Sequence, residues 1–555
     1  MGKRDPTLKE RMLFLINPQK ANLEYNRRLN ADDKERRAKR GGGTPRMSYG
    51  NHGASQTLNS MVGWIVNGGA AEDDIDEYGA TLRKRSRDLF DGGGLARSGP
   101  ITLTTSVVGW GIQPKPKIDG DFLGMSEDVR EETERAILRE FKLWAENHFC
   151  DAERHKNFYE LQQLAFLSML VSGDVFALFG MKPNGRTPYQ LTVRLLEADR
   201  ISTPDSSGDS EIRNLDNGGR IIDGVEIDRE GAVVKYHVAS HHPLAGSVTE
   251  SLEWQAIDAY GKDTGEPNIL HIMVSERPEQ RRGVPFVAAE IELLKQFDRY
   301  LKSELTANLV ASMFSVFLKS TEDDGVNGLE DVVNEDERVK DDDYHYELGP
   351  GVVLDLPFGK EPVTVNPTRP NSAFDKYVAA METVIGSSME IPKEVLTKKY
   401  ESNYTAARAA LLDFWRTVRV YRTRFNASFN QPIYEQFMAE AVAIGRIDAP
   451  GFFDDPAIRQ AWCGCSWMGA SMGHVDPLKE VNAAAMRIAQ NITTQEQEAS
   501  EYNGNDWAAN VRQRRRELEA LKEFADLVNK ASENQPPAPD DEEDEDETEE
   551  QEDEE

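Results

Sequence analysis

The sequence predicts an α+β fold, and three observations lead there. Residues 173–280 break into short β-rich runs separated by Asn-Gly, Asp-Gly and Pro steps. Helical periodicity flanks that block on both sides. The longest helical pattern, 286–318, contains neither Gly nor Pro and would extend roughly 50 Å at 1.5 Å per residue.

Taken in order, residues 1–50 form a Lys/Arg-rich polar arm ending near RRAKRGGGTPRM. It reads as a solvated basic tail, with contact to nucleic acid or a partner as the second reading. The stretch 75–100 predicts a helix and a Gly-rich break, followed by a helix or strand ending at Gly109–Gly111. A helix follows over 127–147, where Val129, Ala136, Ile137, Phe141 and Trp144 recur at three- and four-residue steps. The next, 157–172, is capped by Asn157 and stopped by Gly173. The strand-rich block then carries DVFALFGMK, LTVRLLEADRIST, GRIIDGVEIDREGAVVKYHVAS and NILHIMVSE, as mixed or antiparallel strands.

In 286–318 the apolar residues occupy most of the C-terminal circumference, so this helix needs cover on more than one side, as in a bundle or a ring of subunits. An acidic loop with short strands occupies 322–356, and a second helix 371–388, with Asn371 as its cap. The segment IPKEVLTKKYESNY places Lys398 and Lys399 together on a short loop before a helix starting at Tyr404. In that helix Ala407, Leu411, Phe414, Trp415, Val418 and Phe425 share one stripe, flanked by Arg408, Arg416 and Arg419. Beyond it come a Trp/Cys/Gly-rich turn, a helix at 477–490 and a charged helix at about 505–530. The final twenty residues are acidic and of disorder-prone composition.

A chain of 555 residues has room for two to four domains. Its 39% hydrophobic and 29% charged content suits a soluble protein with polar extensions. The net charge is −32, and 540–555 alone holds fourteen acids and no base, yet the rest of the chain is acidic too. Such a body is ill suited to tight static binding of nucleic acid, which relies on clustered cations. Without an apolar run of membrane-spanning length or a signal-peptide apolar segment in the N-terminal MGKRDPTLKE, the expectation is a protein that is cytoplasmic or assembled from cytoplasmic components, with no membrane partner. Three cysteines, Cys150, Cys463 and Cys465, fit a reducing compartment.

Catalytic patterns fail one by one. The phosphate-cradling G-x-x-x-x-G-K-[ST] is absent. Gly469–Gly473 matches G-x-S-x-G, but the only later histidine, His474, stands three residues after Ser471, so the segment reads as a glycine-rich turn. Cys463, Cys465 and His474 make three ligands where a structural zinc wants four, so the thiols read as small buried groups beside Trp462 and Trp467. His241 and His242 read as solvent-facing turn residues. The carboxylates of 322–347 lack an apolar scaffold to fix them for two-metal chemistry and read as a solvated face. No enzyme and no cofactor is expected, which favours an architectural role.

Several short motifs, in order, resemble one family. They are VVGWGIQPKP (107–116), SGDVFALF (172–179), LLEADRIST (195–203), RPEQRRGVP (277–285), NYTAARAALLDFWR (403–416), HVDPLKEVNAAAMRI from His474, and TTQEQEASEYNGND ending at Asp506. Together they resemble the lambda-type portal proteins of tailed bacteriophages, over roughly 45–530. The resemblance implies a portal fold with a β-rich wing, a long helical stem, a clip and an α-helical crown. On this chain it implies a wing over 51–285, stem helices at 286–318 and 369–390, and a clip at 319–368. It further implies a tunnel loop at 391–403, a long wing helix at 404–445 and a crown at 446–530, whereas the acidic tail at 531–555 departs from the family pattern.

The same resemblance implies a homododecamer at one capsid vertex, nucleating head assembly and conducting double-stranded DNA in packaging and ejection. Its partners would be the terminase large subunit, a head-tail connector or adaptor, and the major capsid and scaffolding proteins. The particle would assemble in the host cytoplasm and the ring would stay in the virion. Lys393, Lys398, Lys399 and Asn403 would face the DNA, while Arg408, Trp415, Arg416 and Arg419 would serve the wing helix and subunit contacts. An acidic channel would keep DNA from sticking as it passes. The alternative reading is an acidic scaffolding or assembly-chaperone protein of a capsid, which should lack a β-rich core; a metal-dependent DNA-processing enzyme is the third.

Overall fold

A computed structural model describes residues 20, 25, 28, 69–204, 212–245, 251–312, 316–318, 353–355, 373–400, 404–472, 477–503 and 507–533. The chain divides into two compact units, Met1–Asp74 and Ile75–Glu555. In the first, Lys20, Tyr25 and Arg28 are helical, and the Arg28 guanidinium lies 5.4 Å from the Tyr25 ring centre. The basic arm 1–50 otherwise lies outside the described residues, as do the acidic loop 322–347, Asn371, Asn403, His474 and residues 534–555.

The elements run α1 (Ala71–Gly92), α2 (Gly94–Val107), β1 (Gln113–Pro116), α3 (Gly120–Leu123), α4 (Glu127–Ala145), α5 (Phe158–Ser172), β2 (Asp174–Met181) and β3 (Leu191–Glu197). Then come β4 (Ile212–Asn214), β5 (Arg220–Ile222), β6 (Val225–Ile227), β7 (Val233–Ala239), β8 (Trp254–Asp258) and β9 (Ile269–Met273). After them stand α6 (Ile291–Ser312), β10 (Val316–Leu318), β11 (Val353–Asp355), α7 (Phe374–Ser388) and α8 (Lys393–Thr397). The chain continues through α9 (Tyr404–Phe425), a π-helical turn (Asn426–Asn430), α10 (Gln431–Ala443), α11 (Pro456–Trp462), β12 (Cys465–Met468), α12 (Pro477–Ala489), α13 (Gln495–Asn503) and α14 (Trp507–Glu533). The α+β expectation holds.

The strand block is wholly antiparallel. One sheet has the order β3-β2-β9 and the other is the meander β4-β5-β6-β7-β8. Its tightest connection is Asp223-Gly224, where φ of 44° and 80° and the Ile222–Val225 pair make a two-residue hairpin of the primed type. A Cβ on Gly224 would stand 2.5 Å from the Ser202 nitrogen, so close passage of the segment 201–203 also requires glycine.

Local signals explain α5 and α4. Asn157 and Glu160 form a reciprocal capping box, and Gly173 leaves the helix at φ 92°. Phe158, Leu161, Ala165, Phe166 and Met169 are buried. In α4 the inward face is Ile137, Phe141, Trp144 and Ala145, whereas Val129, expected on it, is exposed in the first turn. Phe141 is the centre of an aromatic cluster with Trp144, Phe158, Tyr434 and Phe437, ring centres 5.1–5.7 Å away. Trp144 donates Nε1–H to the Leu191 carbonyl at 2.9 Å, so α4 is tied to β3.

Three expectations need correction. The helix drawn over 286–318 is shorter: a 3-10 turn at Ala288–Glu290 leads into α6, which ends at Ser312, about 33 Å at 1.5 Å per residue. Val316–Leu318 instead pair in parallel with Val353–Asp355, because aromatic and β-branched residues there can complete a ladder with a partner strand. The second helix begins at Phe374 behind Ala373, which supplies no side-chain cap. The long helix 404–445 is interrupted by the π turn: Pro432 has no N–H for the preceding turn and its ring crowds that turn's carbonyl, so the backbone widens.

The expected break at 446 is also not a packing break. Phe452, Trp462 and Cys463 belong to the same core as Phe141 and Phe158, and β12 pairs antiparallel with β1. The helices beyond Pro477 are tied on by charged contacts, Arg408 to Glu480 at 3.1 Å and Lys115 to Glu496.

Candidate functional site

The loop after α7 is built in two halves. Met389, Ile391, Val395 and Leu396 are buried, and Ser98 Oγ donates to the Leu396 carbonyl at 2.7 Å, so residues 389–397 are anchored on α2. Two glycines permit this approach: a Cβ on Gly386 would stand 2.6 Å from the Ile391 carbonyl oxygen, and one on Gly99 would stand 3.0 Å from Met389 Sδ. Pro392 opens the short α8, and Lys398 closes it in the left-handed region at φ 58°. Lys398, Lys399 and Tyr400 are then all exposed.

This placement separates the expected lysines. Lys398 and Lys399 sit on the exposed half. Lys393, expected beside them, lies in the first turn of α8 with its Nζ 3.5 Å from Glu382 of α7, because the turn directs it back over that helix. Asn403 lies outside the described residues.

Behind the loop, α9 buries Phe414, Val418 and Phe425, with Leu411, Trp415 and Tyr421 packed partly against the core. Of the flanking arginines, Arg408 meets Glu480 of the same chain, Arg416 lies 3.7 Å from Asp413, and Arg419 is exposed. The arginine that fastens the helix is Arg422, which the sequence did not single out. It donates to the carbonyls of Val107 at 2.9 Å and of Ser106 and Ala470 at 2.8 Å, with Trp415 5.7 Å away. Burial, with Arg419 nearby, brings its pKa down to about 10. A Cβ on Gly469 would stand 2.6 Å from Arg422 Nε, which gives the glycine-rich G-x-S-x-G segment its reason.

A second constellation lies where α1, both sheets and the approach to α6 meet. Arg282 spends all its N–H groups: Nε and Nη2 on the Asp174 carboxylate at 2.7 and 3.2 Å, Nη1 on the Ile201 and Asp223 carbonyls, and Nη2 on the Ala198 carbonyl. Asp223 closes a further ion pair at 3.0 Å, and Arg83 reaches Asp199 and Asp223 at 2.9 and 3.3 Å. Arg87 joins Asp199. His271 stacks on Phe176 at 4.2 Å and lies 3.1 Å from Asp174. Burial opposes ionisation of Asp174, yet Arg282 and His271 hold its carboxyl far below the usual range; burial lowers His271 and keeps it neutral.

The second cluster holds segments of the fold together. Both Asp174 and Arg282 are fully buried and saturated with partners. Among the described residues no group of three or more His, Cys, Asp or Glu is placed to hold a metal ion, and no helix is long and apolar enough to cross a membrane. Burial pushes the Cys463 thiol up to about 12 and raises Cys465 as well. His242 is half-buried, 3.5 Å from Asp199, rather than free in solvent.

The sequence model described as "Phage portal protein, lambda family" matches residues 57–422. The chain is 23% identical to portal protein B of Escherichia phage lambda over 473 residues, covering 82% of this chain and 85% of that protein. It is 21% identical to the portal protein of Escherichia phage N15 over 446 residues, covering 76% and 81%. Among solved structures, the neck of an empty gene transfer agent particle aligns at 12% identity and a TM-score of 0.36, covering 78% of this chain and 93% of that one. A native particle neck computed with C12 symmetry aligns at 13% and 0.32, covering 72% and 97%.

Proposed function

The chain belongs to the lambda family of phage portal proteins, and from that premise we propose that it forms the ring at one capsid vertex through which DNA is packaged and ejected. The observation that carries this is the family match across 57–422, which spans the sheets, α6, α7, the loop and α9. In this reading α6 and α7 are the stem, 319–368 the clip, 391–403 the tunnel loop and 404–445 the wing helix. The crown is the helical part from Pro477 onward, since residues 447–468 pack with the main core. The ring is a homododecamer in the virion, assembled in the host cytoplasm. It nucleates the head with the major capsid and scaffolding proteins, docks the terminase large subunit on the clip and holds a head-tail adaptor. The chain's own role is architectural.

The stem helices support the ring. Tyr300 of α6 packs on Phe374 and Tyr377 of α7, yet Leu305 and Leu309 remain 71% and 55% exposed, and Val384 54%. Large apolar side chains left on both helices of one subunit are what a neighbouring subunit would cover. Class-averaged electron micrographs of the purified full chain, viewed end-on, should show rings with a central hole. A monodisperse monomer or dimer under assembly buffers would overturn the assignment.

For the loop we propose that Lys398 and Lys399 form a weak positive collar in an otherwise acidic channel. The supporting observation is that both are exposed while the first half of the loop is buried against α2. Lys398→Ala with Lys399→Ala is expected to slow packaging roughly 2–10-fold, through lost phosphate contacts, with ring assembly unchanged. If the double variant fails to form rings, those lysines hold subunits together instead.

A further inference from the structure

The helix α14 carries a feature that the portal reading does not use. A groove along it is lined by Val511, Arg514, Arg515, Leu518, Glu519 and Lys522. From Trp507 to Arg516 the helix has four arginines and no acid, whereas Glu517, Glu519, Glu523, Asp526 and Glu533 load its second half with negative charge. Arg514 is 66% exposed, with a 3.4 Å contact to Glu517 one turn along; Arg515 and Arg516 are exposed, as are Leu518 and Leu521 beside them.

The same chain holds a complement to this surface. Residues 540–555 contain fourteen acids and no base, and three prolines in 534–539 separate them from the helix. We propose that the acidic run 540–555 folds back onto the arginine-lined half of α14 in its own subunit and screens it from nucleic acid.

Reach and charge both permit this. Arg515 lies eighteen residues before Glu533, about 27 Å along the helix at 1.5 Å per residue. The seven residues from Glu533 to Asp540 extend about 23 Å, and each further residue adds about 3.3 Å, so the middle of the run reaches Arg514–Arg516 without strain. The acidic second half of α14 repels the run and confines it to the arginine end, where bidentate guanidinium–carboxylate pairs can form. Tethering gives the run an effective concentration in the mM range, so weak individual pairs suffice to keep the groove occupied. An uncovered band of arginines would otherwise hold duplex phosphates, which a conduit for moving DNA must avoid.

The test uses the full chain, a variant lacking 540–555, and a fluorescein-labelled peptide of 540–555 followed by anisotropy. The peptide should bind the shortened variant and bind the full chain about tenfold more weakly, since the tethered run competes. Binding should weaken steeply with salt and vanish when Arg514→Gln, Arg515→Gln and Arg516→Gln are combined, exposed substitutions that leave the fold intact. Equal binding to both chains, no binding to either, or insensitivity to the three substitutions overturns the proposal. So does a labelled DNA duplex that binds the full chain through those arginines as tightly as it binds the shortened one, because the groove then takes DNA with the run present. None of these readouts depends on ring formation, so failure here and failure of the portal reading are distinguishable.

Discussion

Replacing Arg282 with methionine is expected to destabilise the unit Ile75–Glu555 by about 3–5 kcal/mol, the cost of leaving a buried charge uncompensated. The side chain is 1% exposed, and Asp174, its main partner, is wholly buried. Without the guanidinium, Asp174 retains only His271 and the Gly283 amide at 3.0 Å. The carbonyls of Ile201 and Asp223 lose this donor at the same moment, while that of Ala198 keeps the Ile201 N–H at 3.2 Å. Arg282→Lys should recover little, since three rotating donors on a point charge do not reproduce a planar fork with five. Adding Asp174→Asn to Arg282→Met should return part of the loss, because the orphaned charge goes with it. Urea unfolding midpoints measure all four forms. A loss below about 1 kcal/mol for Arg282→Met would mean that the cluster contributes little.

The same cluster fixes the direction of pH dependence. Asp174 has a folded pKa below its unfolded value, so its contribution is present above the unfolded pKa, near 4, and is lost as pH falls through the folded value. His271 is also lowered, so the native state favours its neutral form, and that contribution is complete above about 6.5 and fades as pH falls. Both act in one direction: the melting temperature should fall as pH is taken below about 6.5, first through His271 and then through Asp174. In Arg282→Met the second step should shrink, because Asp174 no longer has the cation that holds its carboxyl down.

Much of this fold is legible locally. The Asn157 cap, the Gly173 stop, the Asp223-Gly224 hairpin and the α9 stripe each depend on residues within a turn or two of one another. What escapes the sequence is distance. Arg83, Asp174, Asp223 and Arg282 come from four separated segments, and no periodicity announces that they meet. SGDVFALF and RPEQRRGVP stand out as motifs, and the fold explains them by joining the aspartate of one to an arginine of the other. Lys393 escapes for a smaller reason: a loop that coils into a single helical turn redirects one lysine of three. The end of α6 escapes because helix and strand propensities are close in an apolar run, and a pairing partner near residue 353 decides between them.

Arg422→Met is expected to loosen α9 from α2, lowering stability by about 2–4 kcal/mol, because three carbonyls lose a charged donor in one change. Gly469→Ala should produce part of the same effect without touching the arginine, since the new methyl would lie 2.6 Å from Arg422 Nε and push the guanidinium off its acceptors. If both act through one contact, they cannot be additive: in an Arg422→Met background, Gly469→Ala should cost much less than in the parent, giving a coupling of about 1–2 kcal/mol in a double-mutant cycle. Additive losses would show that the glycine serves its own turn and not the arginine. The consequence extends to the loop. Its anchored half rests on α2 through Ser98 and Leu396, and Arg422 fastens α9 to the other end of the same helix at Ser106 and Val107, so α2 carries both contacts. Arg422→Met should therefore lower the unfolding midpoint and, by loosening α2, reduce packaging with both lysines in place, whereas the double-lysine variant should slow packaging at an unchanged midpoint.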